Sequence, residues 1–195
     1  MTASQGSAAL GRQPIVPSGV LGMVLFLATE AMFFGGLISA FVVLRAATLD
    51  WPPLGQPRLP IGLTGINTAI LLLSGYAMHR AVVCVRKGEA HLVAWLSGTA
   101  LLGCIFLGIQ GYEWLELIGF GLTTRSSLYG ATFYTLVGAH GLHVLAALVV
   151  LLVVLARGIQ GRYTAAAHGE LELCRMYWLF VVAVWPVLYV LVYLR

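Results

Sequence analysis

Charge is what this sequence has least of. Lys, Arg, Asp and Glu make up 9% of its 195 residues, whereas a soluble domain carries about 25%. With 60% hydrophobic residues, the chain is excluded from the soluble globular class and reads as an integral membrane protein with almost no mass outside the bilayer. The net charge of +4 is small and sits in connectors. It therefore reads as a topology signal and excludes a nucleic-acid-binding protein. Paired cysteines are also missing. Cys84, Cys104 and Cys174 show no C-x-x-C spacing, and they read as small apolar residues with inert thiols. No G-x-S-x-G, P-loop, C-x-x-C-H or H-E-x-x-H motif occurs, so the chain carries no catalytic centre of its own that motifs reveal. The short alternating runs of a transmembrane barrel are lacking. So are the basic start and short apolar core of a signal peptide, and the first span is expected to be retained.

What is there is a series of long apolar runs, each able to cross a bilayer at the helical rise. They predict an all-α, polytopic membrane protein, a bundle of five transmembrane helices at about 18–45, 61–85, 91–117, 128–156 and 173–194. Residues 1–17 form an N-terminal cytoplasmic tail, and 18–195 the five-helix transmembrane domain. The first connector holds Pro52, Pro53, Pro57 and Pro60, a density that forbids a helix, and Trp51 in it suits an interfacial anchor. The turn Arg86-Lys87-Gly88-Glu89 is so short that spans two and three must be antiparallel neighbours. Ser126 or Ser127 can cap span four, Pro186 should bend span five, and Tyr177, Trp178 and Tyr193 suit the interfaces. Arg12, Arg80, Arg86, Lys87, Arg157, Arg162 and Arg175 fall at one set of helix ends, Arg45, Arg58, Arg125 and Arg195 at the other. That excess of seven over four places the N-terminus inside and the C-terminus outside.

One ionisable group interrupts the first run. Glu30 lies about 18 Å from the inner end of its span, near mid-membrane. A carboxyl there survives only if neighbouring helices supply partners, which makes it a candidate proton- or lipid-linked group. His140 and His143, three apart on span four, reach similar depth, and His79 lies in the inner half of span two. One polar layer is thus Glu30, His140, His143 and His79. Nearer the outer side, Asn67 of span two is level with Gln110 and Glu113 of span three, which predicts a second, amide–carboxyl cluster. Gly138 and Gly141, and Gly35 and Gly36 on span one, would permit close helix approach. His140 with His143 could hold a metal, and His79 facing His140 could clamp a haem. Only one such pairing is available and its depths do not match, so neither metal nor cofactor is expected in this chain.

Five segments, in order, resemble subunit III of the haem–copper terminal oxidases (cytochrome c oxidase subunit III). They are Leu27-Ala28-Thr29-Glu30-Ala31-Met32-Phe33-Phe34-Gly35-Gly36; Ile66-Asn67-Thr68 with His79; Gln110-Gly111-Tyr112-Glu113-Trp114; Gly138-Ala139-His140-Gly141-Leu142-His143; and Tyr177-Trp178 with Phe180-Val181. The resemblance is to a short, five-span bacterial form. Long members have two further spans ahead of these, and a His and an Asp where Leu179 and Val182 stand here, so no role of that pair transfers. The resemblance implies an accessory subunit without redox centres, working in aerobic respiratory electron transport in the bacterial cell (inner) membrane. It would pack against catalytic subunit I and subunit II, which would carry haem and copper, with a respiratory supercomplex as the wider setting. It would bind phospholipid and support proton uptake. Glu30 is the matched buried carboxyl, with His79, Glu113, His140 and His143 as matched polar positions. A subunit III homologue of a quinol oxidase or nitric oxide reductase, and a free-standing proton or ion carrier, remain the alternatives.

Overall fold

The computed structural model describes residues 18–53 and 59–194. The expected cytoplasmic tail, Pro57 and Arg58 of the first connector, and Arg195 lie outside the described residues. Among those described are five helices long and apolar enough to cross a membrane: α1 (Ser18–Ala46), α2 (Ile61–Lys87), α3 (Leu92–Gly119), α4 (Leu128–Ile159) and α5 (Gly169–Leu188), the last continued by a π-helical turn, Tyr189–Leu194.

The helix ends follow from local chemistry. α2, α3 and α4 each stop at a glycine with positive φ: Gly88 at 69°, Gly121 at 87° and Gly161 at 70°. Each stop carries the paired 6→1 and 5→2 hydrogen bonds of a Schellman motif, as in Glu89 N–H to Cys84 O at 2.9 Å and Gly88 N–H to Val85 O at 3.2 Å. α4 starts at Ser127, whose Oγ accepts from Gly130 N–H at 3.1 Å. Gly130 has no room for a side chain, since a Cβ there would lie 2.2 Å from the Thr123 carbonyl oxygen. Ser127→Ala should lower stability by about 1 kcal/mol through loss of this cap, measurable as a lowered midpoint in thermal unfolding of the purified protein.

α5 starts one turn earlier than the apolar run that begins at Leu173. Its first turn carries Glu170 and Glu172, favoured there by the helix dipole and held by cations. Arg157 Nη1 donates to Glu170 at 2.6 Å. Arg175 Nε donates to Glu172 at 3.0 Å, and Arg86 from the end of α2 also donates to Glu172. Burial, then the hydrogen bond to Glu170, push the Tyr163 phenol in the α4–α5 connector up to about 12, so it remains a donor at neutral pH. At the other end, Pro186 has no N–H to continue the ladder, and the chain passes into the π-helical turn within one further turn. Arg45, in the last turn of α1, donates to the Leu191 carbonyl of that turn at 3.3 Å.

α2, α3, α4 and α5 pack in a ring, each touching the next, and α5 closes on α2. As expected from their short turn, α2 and α3 share the most extensive interface. α1 stands outside the ring in the groove between α4 and α5, and buries only Phe34 and Phe41. Trp51 in the first connector packs edge-on against Phe41 at 5.7 Å and Tyr129 at 5.1 Å, and so ties α1 to α4. The ring's interior is not purely apolar: along α2, Thr64, Asn67, Thr68 and Ser74 are all buried.

Candidate functional site

α1 is held to the ring by its one acid. Glu30 Oε2 lies 2.8 Å from His143 Nε2 on α4, with both side chains largely but not wholly covered. Phe34 and Phe33 flank the imidazole, at 5.0 and 5.8 Å between ring centres. The other imidazole nitrogen, Nδ1, is 2.7 Å from the Ala139 carbonyl oxygen. A carbonyl can only accept, so Nδ1 carries a hydrogen. Nε2 and the carboxyl then share one proton between them, written as a neutral acid donating to a neutral imidazole or as an ion pair. Both forms have zero net charge, which is what a site near the middle of a 32-residue helix requires.

A second acid lies inside the ring, toward the other end of α3. Glu113 is fully buried. Gln110 Nε2 donates to its Oε2 at 2.7 Å and also reaches the Tyr193 hydroxyl at 3.3 Å. Thr64 Oγ1 is hydrogen-bonded to Glu113 Oε1. Asn67 is adjacent but turns its amide to the Phe106 carbonyl, at 3.1 Å. Of the expected cluster, Gln110 and Glu113 are bonded to each other whereas Asn67 bonds neither, and Thr64 and Tyr193 are members that sequence reasoning missed. Spacing on α2 held the missed signal: Thr64, Asn67, Thr68 and Ser74 fall on one helical face.

The expected layer of Glu30, His140, His143 and His79 does not form as one group. Only His143 meets Glu30. His140, three residues earlier, is rotated off that line and is buried in the ring. It stacks on Trp185 at 4.9 Å and 26°, with Phe106 and Phe34 edge-on at 6.2 and 6.3 Å. Neither of its ring nitrogens has a hydrogen-bond partner among the described residues. His79 is exposed, on the stripe of α2 that carries Leu72, Leu73 and Tyr76, because the polar and small residues of α2 occupy the opposite face. His79 and His140 thus do not face each other, and no haem clamp can be built from them.

Two other expectations are corrected. Trp178 and Tyr193, expected to face lipid headgroups, turn inward and are buried, their polar atoms finding partners inside the ring. Trp178 Nε1 donates to Ser74 at 3.2 Å, and Trp185 Nε1 donates to Thr68 at 2.9 Å. Close approach is supplied by Gly141, as expected, and by Gly103. A Cβ on Gly103 would stand 2.7 Å from Trp178, and one on Gly141 would stand 3.3 Å from Trp114, whereas Gly35 and Gly36 face open space.

With this geometry in hand, comparison with known proteins is direct. The family model described as cytochrome c oxidase subunit III matches residues 5–195. Cytochrome c oxidase subunit 3 of Synechocystis sp. is 42% identical over 177 residues, covering 90% of this chain and 75% of that protein. The protein of the same name from Thermostichus vulcanus is 37% identical, covering 90% of this chain and 86% of its own. That of Corynebacterium diphtheriae is 35% identical over 197 residues, covering 99% and 94%.

Proposed function

The chain belongs to the cytochrome c oxidase subunit III family, and we propose that it acts there by presenting the Glu30–His143 pair, a net-neutral proton-sharing site, at the seam where α1 joins the ring. As a family member it is an accessory subunit of a haem–copper oxidase, an oxidoreductase complex, and a multi-pass membrane protein. On this reading it stabilises catalytic subunit I, alongside subunit II, in the bacterial inner membrane, with its N-terminus inside. Haem and copper belong to those partners. In this chain His143 already spends both ring nitrogens, and His140 is stacked inside the ring.

The observation that carries this reading is the 2.8 Å contact between Glu30 and His143. A pair that shares one proton can pass it between carboxyl and imidazole while staying net neutral, so that no bare charge stands alone in the bilayer. This is the chemistry that support of proton uptake needs. Phospholipid binding has its own support beside the pair. An apolar groove of about 250 Å³ runs between α1 and α4, lined by Leu37, Phe41, Leu44, Leu128, Ala131 and Leu136, and it suits an acyl chain. Affinity purification of the tagged chain from its native membrane should bring down a larger polytopic protein with a haem Soret band. Recovery of the chain without any haem protein, with proton flux after reconstitution alone, would favour a free-standing carrier instead.

A further inference from the structure

Glu113 has no place in that reading, yet it is the more deeply buried of the two intramembrane acids. We propose that Glu113 is a second proton-binding site, held as a neutral carboxylic acid that donates to Thr64 Oγ1, while the Thr64 hydroxyl donates onward to the Pro60 carbonyl at the start of α2.

Two observations carry this independently. The first is the count of hydrogens. The Thr64 hydroxyl has one, yet its oxygen lies within bonding distance of two others, Glu113 Oε1 and, at 3.0 Å, the Pro60 carbonyl oxygen. The Pro60 carbonyl can only accept, and its two lone pairs take the Thr64 hydroxyl and the Thr64 backbone N–H at 3.1 Å. With its one hydrogen given to Pro60, Thr64 meets Glu113 as an acceptor, and we place the hydrogen of that contact on Glu113. The other carboxyl oxygen behaves as an acceptor, taking the Gln110 amide at 2.7 Å.

The second observation is what faces the carboxyl. α2 offers Thr64, the π-helical turn offers Tyr193, and α3 itself offers Gln110 and, a turn further on, the acid Glu116. No lysine, arginine or histidine among the described residues pairs with it, and its surface is fully covered. The contrast with Glu30 is chemical: Glu30 has a base to share its proton with, whereas Glu113 has only hydroxyls and an amide. An anion without a counter-ion cannot be kept at such a position, whereas a neutral acid bonded to a hydroxyl can.

Infrared difference spectra of the chain, purified from native membranes with its bound partners, test this at neutral pH. Wild type minus Glu113→Gln should show the loss of one carbonyl stretch of a non-ionised carboxylic acid. Thr64→Val keeps Glu113 but removes its acceptor, so the same band should move to higher wavenumber. Loss of paired carboxylate stretches in Glu113→Gln, with nothing lost in the carboxylic-acid region, would overturn the proposal. So would a band that Thr64→Val leaves in place. If Glu113→Gln fails to accumulate, the Thr64→Val spectrum decides alone. Absence of a haem partner in the preparation would count against the oxidase reading without altering either spectral outcome.

Discussion

Trp185→Ala should be the most damaging single change in the ring. The indole is fully buried where α2, α3, α4 and α5 meet. It carries His140 on its face at 4.9 Å, meets Phe106 at 5.1 Å and Tyr193 at 6.2 Å, and bonds Thr68 at 2.9 Å. In water-soluble cores such a truncation costs about 3–5 kcal/mol, partly as lost transfer energy and partly as cavity. That figure is an upper bound here, because lipid tails are as apolar as a core and the transfer part largely vanishes. The cavity part remains in full, and with it the loss of the stack that holds His140. Trp185→Phe should retain most of the packing and lose chiefly the bond to Thr68, about 0.5–1.5 kcal/mol. Thermal unfolding of the detergent-purified protein should rank wild type above Trp185→Phe and both well above Trp185→Ala. Equal midpoints for the two variants would mean that the aromatic packing around His140 contributes little.

How much of this was legible beforehand depends on which physical term decides each feature. The spans were legible because bilayer thickness and helical rise act on one run of sequence at a time. The ends of the first four spans moved by no more than about three residues, and the start of α5 moved furthest, since Glu170 and Glu172 begin the helix through cations that lie on α2 and α4 as well as on α5. Depth was legible for the same reason, and it paired Glu30 with the right part of α4. Azimuth was not. His140 and His143 have nearly equal depth, and what separates them is the position of α1 against α4 and α5, which no local pattern encodes. His79 failed by the same route. Trp178 looks like a belt residue until Ser74 is known to face it. The polar spacing on α2 was the clue to that face, and it pointed to Thr64 as well.

Glu30→Leu should release α1 from the ring, and Glu30→Gln should not. α1 buries just two residues, so its docking leans on the bond to His143 and on Arg45 reaching the Leu191 carbonyl. Leucine leaves the His143 Nε2 without a partner. The expected cost is about 1–3 kcal/mol, a shift of about 5- to 150-fold in the docking equilibrium of α1. Glutamine behaves differently because the Ala139 carbonyl fixes the imidazole with its hydrogen on Nδ1. Nε2 is then a free acceptor, and the glutamine N–H can donate to it where the carboxyl proton did. Hydrogen exchange of α1 amides, read by mass spectrometry on the purified complex, should accelerate in Glu30→Leu and stay near wild type in Glu30→Gln. His143→Leu should match Glu30→Leu, and the double Leu variant should cost less than the sum of the two, since each single change already removes the same bond. If all four variants exchange like wild type, α1 is held by its apolar contacts alone, and the pair has no part in keeping the helix in place.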